Sequence, residues 1–276
     1  MKFVGTVMLM VLWILSTEAF GQIAVAPIGF DKEKDGVVRG KIDTVVYDSK
    51  IVGSKRKALI YTPPGYDAAE RYPVLYLLHG IGGDELEWFK NGVPHIILDN
   101  LYAQGKIEPM IVVLPNGRAM KDDRATGNIM EKDKVAAFAT FEQDLLRDLI
   151  PFVEEHYAVN ADRTSRALFG LSMGGGQALN FGLGNLDVFS WVGGFSSAPN
   201  TKQPEELVPD PKKAREQLQL LWLSCGDEDR LINFTTRTHE YLEKNDVPHI
   251  YYIEPGGHDF NVWKNDLYQV SQLLFK

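Results

Sequence analysis

The chain has 276 residues, 45% of them hydrophobic, with a net charge of −8 and a single cysteine. That length and apolar content are enough for a full core, and nothing in the composition suggests disorder or repeats. An acidic chain without a basic cluster also argues against nucleic acid and anionic membrane surfaces as partners.

Met1-Lys2 precedes a mostly apolar stretch from Phe3 to Leu15, followed by small and polar residues and by Ala19-Phe20-Gly21. The stretch is shorter than the roughly 20 apolar residues a bilayer span needs, so it reads as a secretory signal. The expected organisation is a signal peptide over 1–21 and one mature domain over 22–276, with no membrane association once the signal is removed. Cys225 has no partner for an internal disulfide and ends the apolar run from Leu218, where a buried small side chain is expected.

From Gln22 to Ser54 short β-like runs such as Thr44-Val45-Val46-Tyr47 suggest edge strands. Lys57 to Tyr61 adds a strand that Thr62-Pro63-Pro64-Gly65-Tyr66 closes, because proline cannot continue a ladder. Val74 to Leu78 is a continuous β-rich apolar run, the pattern of a central strand buried on both faces. It runs into His79-Gly80-Ile81-Gly82-Gly83, with Asp84 and Glu87 spaced as a capping pair for a following helix. A helix is expected from Ile96 to Ala103, a strand from Met110 to Leu114, and a polar surface loop from Arg118 to Lys134. Apolar residues from Phe141 to Tyr157 follow helical spacing, with Pro151 expected to kink or split that helix.

Gly170-Leu171-Ser172-Met173-Gly174 then follows the apolar run Ala167-Leu168-Phe169. Strand before and helix after is the setting of a nucleophile elbow, in which a turn flanked by glycines exposes a serine hydroxyl. Gly175 and Gly176 let the next helix, from about Gln177, sit close to its strand. Strands follow over Phe189 to Phe195, Leu218 to Cys225 and His249 to Ile253, with helices over Ile232 to Leu242 and from Gly256-Gly257-His258-Asp259 to Leu274. This alternation predicts a mostly parallel, doubly wound α/β sheet flanked by helices.

A serine hydroxyl needs a general base, and the base an orienting carboxylate. Of six histidines, only His258 sits in a loop after the last strand, on the sheet edge where the elbow also emerges. The carboxylate belongs on the loop after Cys225, which offers Asp227, Glu228 and Asp229. Asp259 is better placed to cap the final helix. The glycine turn around Gly80 and Ile81 sits where α/β hydrolases place a backbone donor for the oxyanion.

Gly-Leu-Ser-Met-Gly-Gly-Gly, the Cys-Gly-x-x-Asp loop and Gly-Gly-His-Asp-Phe-Asn-Val-Trp-Lys occur together here, alongside Tyr61-Thr62-Pro63-Pro64-Gly65-Tyr66 and Leu77-Leu78-His79-Gly80-Ile81-Gly82-Gly83. From about Tyr47 to its end the chain resembles the feruloyl esterases of carbohydrate esterase family 1, the type found as modules of bacterial xylanases. The resemblance implies an α/β-hydrolase fold and a triad of Ser172, Asp229 and His258. Asp227 is a second aspartate that the family pattern does not call for. The resemblance further implies an oxyanion hole from the N–H groups of Met173 and of Ile81 or its neighbour, and no metal or organic cofactor. It implies hydroxycinnamate esters of arabinoxylan as substrates, and the signal pattern implies that they are met in the periplasm or outside the cell. Trp263 and Gly80 are expected to contact substrate, with Trp88 and Ser197 to Asn200 as further candidates. Acetyl xylan esterases and siderophore ester hydrolases share the scaffold, as would a carbohydrate-binding relative without activity.

Overall fold

The computed structural model describes residues 25–276, so the expected signal segment lies outside the described residues. An eight-stranded sheet runs in the order β1-β2-β4-β3-β5-β6-β7-β8. Strands β1 (Lys41–Ser49) and β2 (Ser54–Thr62) form an antiparallel hairpin, and β2 also pairs antiparallel with β4 (Ile111–Pro115). The remainder is parallel: β3 (Val74–Leu78), β5 (Arg166–Leu171), β6 (Trp191–Phe195), β7 (Leu220–Gly226) and β8 (Ile250–Glu254). The helices are α1 (Pro94–Ala103), α2 (Lys132–Asp144), α3 (Ile150–His156), α4 (Met173–Gly184), α5 (Pro204–Leu207), α6 (Pro211–Gln217), α7 (Ile232–Lys244) and α8 (Phe260–Ser271). This is the α/β-hydrolase arrangement.

Every residue of β3 is buried, and alternation decides which core each one joins. Val74, Tyr76 and Leu78 pack with Phe141, Leu145 and Leu179 on one face, while Leu75 and Leu77 pack with Trp88, Ile97 and Leu267 on the other. A strand enclosed by two helical layers must be apolar at each position, which is why the run is continuous rather than alternating.

Three expectations need correction. The helix over Phe141 to Tyr157 begins earlier, at Lys132, and is divided into α2 and α3 by a π-helical turn over Leu145–Leu149. Pro151 falls in the first turn of α3, where its missing N–H and ring clash are absorbed by the wider turn. Residues 118–134 are not wholly a surface loop, because Arg118 is fully buried. Its guanidinium donates to the carbonyls of Ile81 and Asp123 and lies 5.1 Å from the centre of the Phe138 ring. Helix α4 starts at Met173 rather than near Gln177, so the glycine run is itself helical.

A buried ion pair fastens the antiparallel hairpin to the parallel body. Arg56 Nη1 lies 2.9 Å from Asp144 Oδ2, Tyr47 Oη donates to the same oxygen at 2.7 Å, and Arg56 Nη2 reaches the carbonyls of Asn116 and Arg118. Removing the acid would leave an uncompensated guanidinium in the core. Asp144→Ala is therefore expected to cost about 3–5 kcal/mol in urea unfolding; a loss under about 1 kcal/mol would mean that water replaces the carboxylate.

Candidate active site

The turn at Ser172 is forced by crowding. Ser172 has φ 52° and ψ −118°, a conformation L side chains rarely adopt, and links β5 directly to α4. A Cβ on Gly170 would stand 2.5 Å from the carbonyl oxygen of Gly174, and one on Gly174 would stand 2.5 Å from that of His79. Only glycine fits at either position, so the elbow's flanking residues are set by contact distance.

Parallel strands deliver β5, β7 and β8 to the same edge of the sheet, and their loops meet there. His258 Nε2 lies 2.9 Å from Ser172 Oγ, and His258 Nδ1 lies 2.7 Å from Asp229 Oδ2. With the carboxylate accepting at Nδ1, that nitrogen carries the proton and Nε2 is free to accept from the hydroxyl. The Asp229 side chain is fully enclosed, whereas 34% of the His258 side chain is exposed. Burial works to raise the Asp229 pKa. Hydrogen bonds from Leu231 N–H, His258 and Ser196 outweigh it and hold the carboxyl below its ordinary range.

Of the two aspartates that the residues themselves left open, Asp229 is the one that meets His258, while Asp227 turns the other way. Asp227 is exposed, and its Oδ1 accepts from Gly256 N–H at 3.0 Å, tying the acid loop to the histidine loop. Two backbone bonds, Asp227 N–H to Glu254 O and Glu228 N–H to Gly256 O, reinforce that join. Asp259 caps α8, accepting from Asn261 N–H at 2.7 Å.

Trp263, Trp88 and the Gly80 N–H, all expected to contact substrate, are instead engaged within the protein. Trp263 is 94% buried, its ring edge-on to His258 with centroids 4.9 Å apart, so it braces the imidazole rather than lining an open cleft. Trp88 is buried and donates from Nε1 to Leu78 O. Gly80 N–H donates to Glu87 Oε2 at 2.7 Å, which removes Glu87 from the expected capping pair and engages the Gly80 donor within the protein. Asp84 still closes the turn through Leu86 N–H and also pairs with Arg124. The loop after β6 wraps the elbow: Ala198 N–H reaches Ser172 O, and the Asn200 amide reaches Met173 O. Beside Ser172, Met173, Ala198 and Phe138 form an apolar cluster with Ile81, Val135 and Leu231 around it.

Two residues that sequence reasoning passed over shape the glycine turn. Gly117 N–H donates to His79 Nε2 at 2.7 Å, so the proton sits on Nδ1, which meets Gly80 O at 2.6 Å. Burial holds the His79 imidazole below its ordinary pKa and so keeps it neutral. In a trans peptide the N–H points opposite to the carbonyl, so His79 fixes the direction of the Ile81 N–H. That N–H has no acceptor among the described residues. Arg118 fixes the next carbonyl, that of Ile81. The His-Gly pair after a central strand was the one available signal for His79; nothing marked Arg118. Among the described residues no cluster of three or more histidine, cysteine or acidic side chains could hold a metal.

Behind the histidine loop, Glu254 and Asp266 are buried against each other. Burial pushes Glu254 up to about 7, and burial plus the Glu254 charge push Asp266 well above the carboxylate range. Between the ordinary carboxyl range and about 7 the folded chain therefore holds protons that the unfolded chain has lost, and stability falls as pH rises through that window. Glu254→Gln is expected to flatten the pH dependence of the unfolding free energy between those limits; equal slopes for both proteins would contradict this assignment.

A family described as a putative esterase matches residues 49–274. An endo-1,4-beta-xylanase/feruloyl esterase of Xylanibacter ruminicola is 34% identical over 242 residues, 86% of this chain. The chain spans only 32% of that protein's length, and 10% of the length of the similar endo-1,4-beta-xylanase Y of Acetivibrio thermocellus. A CE1 ferulic acid esterase of Anaeromyces mucronatus, solved with ferulic acid, superimposes with a TM-score of 0.83 at 28% identity, covering 92% of this chain and 98% of that one. An S-formylglutathione hydrolase of Staphylococcus aureus, at 18% identity and TM-score 0.67, shares the fold over 87% of this chain and 98% of its own.

Proposed function

We infer the activity from one premise: the chain belongs to the putative esterase family. We propose that it is a serine esterase that releases hydroxycinnamic acids such as ferulate from the arabinose units of xylan. The observation that carries this reading is the unbroken run of contacts from Asp229 through His258 to Ser172, at 2.7 and 2.9 Å.

In the proposed reaction His258 Nε2 takes the Ser172 proton as Oγ attacks the ester carbonyl, and Asp229 stabilises the imidazolium. The tetrahedral oxyanion is held by two backbone donors. One is Met173 N–H, at the first position of α4, where helix N–H groups lack internal acceptors. The other is Ile81 N–H, aimed by the neutral His79. His258 then returns its proton to the departing sugar oxygen, leaving ferulate on Ser172. Water, deprotonated by the same imidazole, attacks the acyl-enzyme and frees the acid. No step calls on a metal or an organic cofactor.

Ile81, Val135 and Leu231, the half-buried apolar side chains around the buried cluster of Phe138, Met173 and Ala198, offer more apolar surface than the single methyl of acetate covers, which favours an aromatic acyl group. Similarity to a feruloyl esterase at 34% identity supports the same choice over an acetyl esterase of Caldicellulosiruptor saccharolyticus, which is 22% identical over 75% of this chain and 85% of that one. The proposed plant-polymer substrate and the amino-terminal signal pattern both support a mature enzyme outside the cytoplasm. Among the described residues no helix is long and apolar enough to cross a membrane.

Methyl ferulate is expected to turn over faster than acetylated xylan; the reverse preference would select the acetyl esterase alternative. Ser172→Ala should lose about three orders of magnitude or more in kcat, together with labelling by a fluorophosphonate probe. A labelled alanine variant would place the nucleophile elsewhere, and an unlabelled wild-type chain would favour a binding protein. Asp229→Asn should cost about three to four orders of magnitude, because an amide favours the wrong imidazole tautomer. Asp227→Asn should cost far less, since the amide oxygen still accepts from Gly256 N–H. His79→Phe is expected to lower kcat by about 100-fold with little change in KM, the pattern of a misdirected oxyanion donor.

A further inference from the structure

A small cavity of about 160 Å³ lies beside the glycine turn, lined by Gly82–Asp84, Leu86, Glu87, Lys90 and Asn91. It shares a wall with the nucleophile. A Cβ on Gly80 would lie 3.5 Å from Ser172 Cβ and 3.6 Å from Glu87 Oε2, so only Gly80 separates the serine from the cavity's inner carboxylate. The outer wall is a π-helical turn, Trp88–Gly92, that packs against the histidine loop. Trp88 meets Phe260 edge-on at 5.5 Å, and a Cβ on Gly92 would lie 3.1 Å from the Phe260 ring. Phe260 is two residues after His258. Through this turn and the Phe260–Trp263 pair, whose indole meets His258, the cavity is joined to the side of the site that carries the imidazole.

The two flanks of the serine differ in chemistry. The apolar cluster of Phe138, Met173, Ala198 and Ile81 marks one side. The cavity side is polar: Lys90 and Asn91 are exposed, and their side chains have no hydrogen-bond or ion-pair partner among the described residues. The wide turn ends at Val93, held at φ 42°, a left-handed conformation strained for a β-branched residue. The unpaired ammonium and amide offer donors, and the amide and Glu87 offer acceptors, around a volume suited to one sugar ring. Such a set matches the several hydroxyls of a pentose better than the ring of an aromatic acid.

We propose that this cavity is the subsite for the sugar whose hydroxyl carries the ester, with Lys90 and Asn91 as its recognition groups. The proposal rests on the esterase reading and adds where alcohol-side specificity resides. It is tested by measuring kcat/KM for a feruloylated arabinoxylo-oligosaccharide and for methyl ferulate, in the wild-type chain, in Lys90→Ala/Asn91→Ala and in Asn91→Ala alone. The ratio of oligosaccharide to methyl ester is expected to fall about tenfold in the double variant, through KM, the loss of one to two hydrogen bonds. The same oligosaccharide without its feruloyl group should inhibit methyl ferulate hydrolysis competitively in the wild-type chain, and less in either variant. An unchanged ratio, or no inhibition of the wild-type chain, would overturn the subsite while methyl ferulate turnover leaves the esterase reading standing. A wild-type chain inactive on both esters would overturn both.

Discussion

The whole site depends on steric exclusion at one turn. Between β5 and α4 the backbone passes so close to the ends of β3 and its own helix that no side chain is tolerated at Gly170 or Gly174. Ser172 is held with φ positive, a conformation that costs about 1–3 kcal/mol and persists only where the surroundings over-determine it. Here they do: Ser172 N–H is bound by Phe195 O, and Ser172 O accepts from Gly176 N–H and Ala198 N–H. The hydroxyl emerges at the start of a helix, where unpaired N–H groups and the helix dipole favour a developing negative charge.

Around that fixed hydroxyl, the loops that carry Asp229 and His258 are joined to one another. The acid and histidine loops share three hydrogen bonds through Asp227, Glu228, Glu254 and Gly256. A Cβ on Gly226 would collide with the Gly256 backbone, so the loops lie in direct contact. Trp263 and Phe260, both on α8, pack behind His258. The imidazole is thus held on one side by a carboxylate and on another by an indole edge. A catalytic side chain that starts in its reactive geometry needs little reorganisation when charge develops.

Buried charge is handled in two ways. Arg56 and Asp144 meet as a pair, and Arg118 is surrounded by carbonyl oxygens, so neither cation is left bare in the core. Glu254 and Asp266, which have no cation between them, respond by retaining protons. The first arrangement fastens the outer hairpin and the glycine turn to the body. The second lies between the end of β8 and α8, the two elements that carry the histidine loop.

Local features were legible in the chain itself. Apolar runs located each parallel strand to within a few residues, because a strand buried on both faces has no polar positions to obscure it. Gly170 and Gly174 announced the elbow, and the order of strands put His258 on the edge where Ser172 emerges, since parallel strands send their following loops to one edge. What the chain could not disclose were contacts that depend on distance between segments far apart in sequence. Asp227 and Asp229 differ by two residues and carry the same group; only the packing of β7 against β8 turns one towards His258 and the other towards Gly256. Arg118 reads as a solvated charge until the fold surrounds it with carbonyls, and Trp263 reads as a cleft aromatic until α8 packs it under the imidazole. Sequence determines backbone shape wherever sterics are local, while the direction in which a polar side chain points is decided by partners that only the tertiary structure brings within reach.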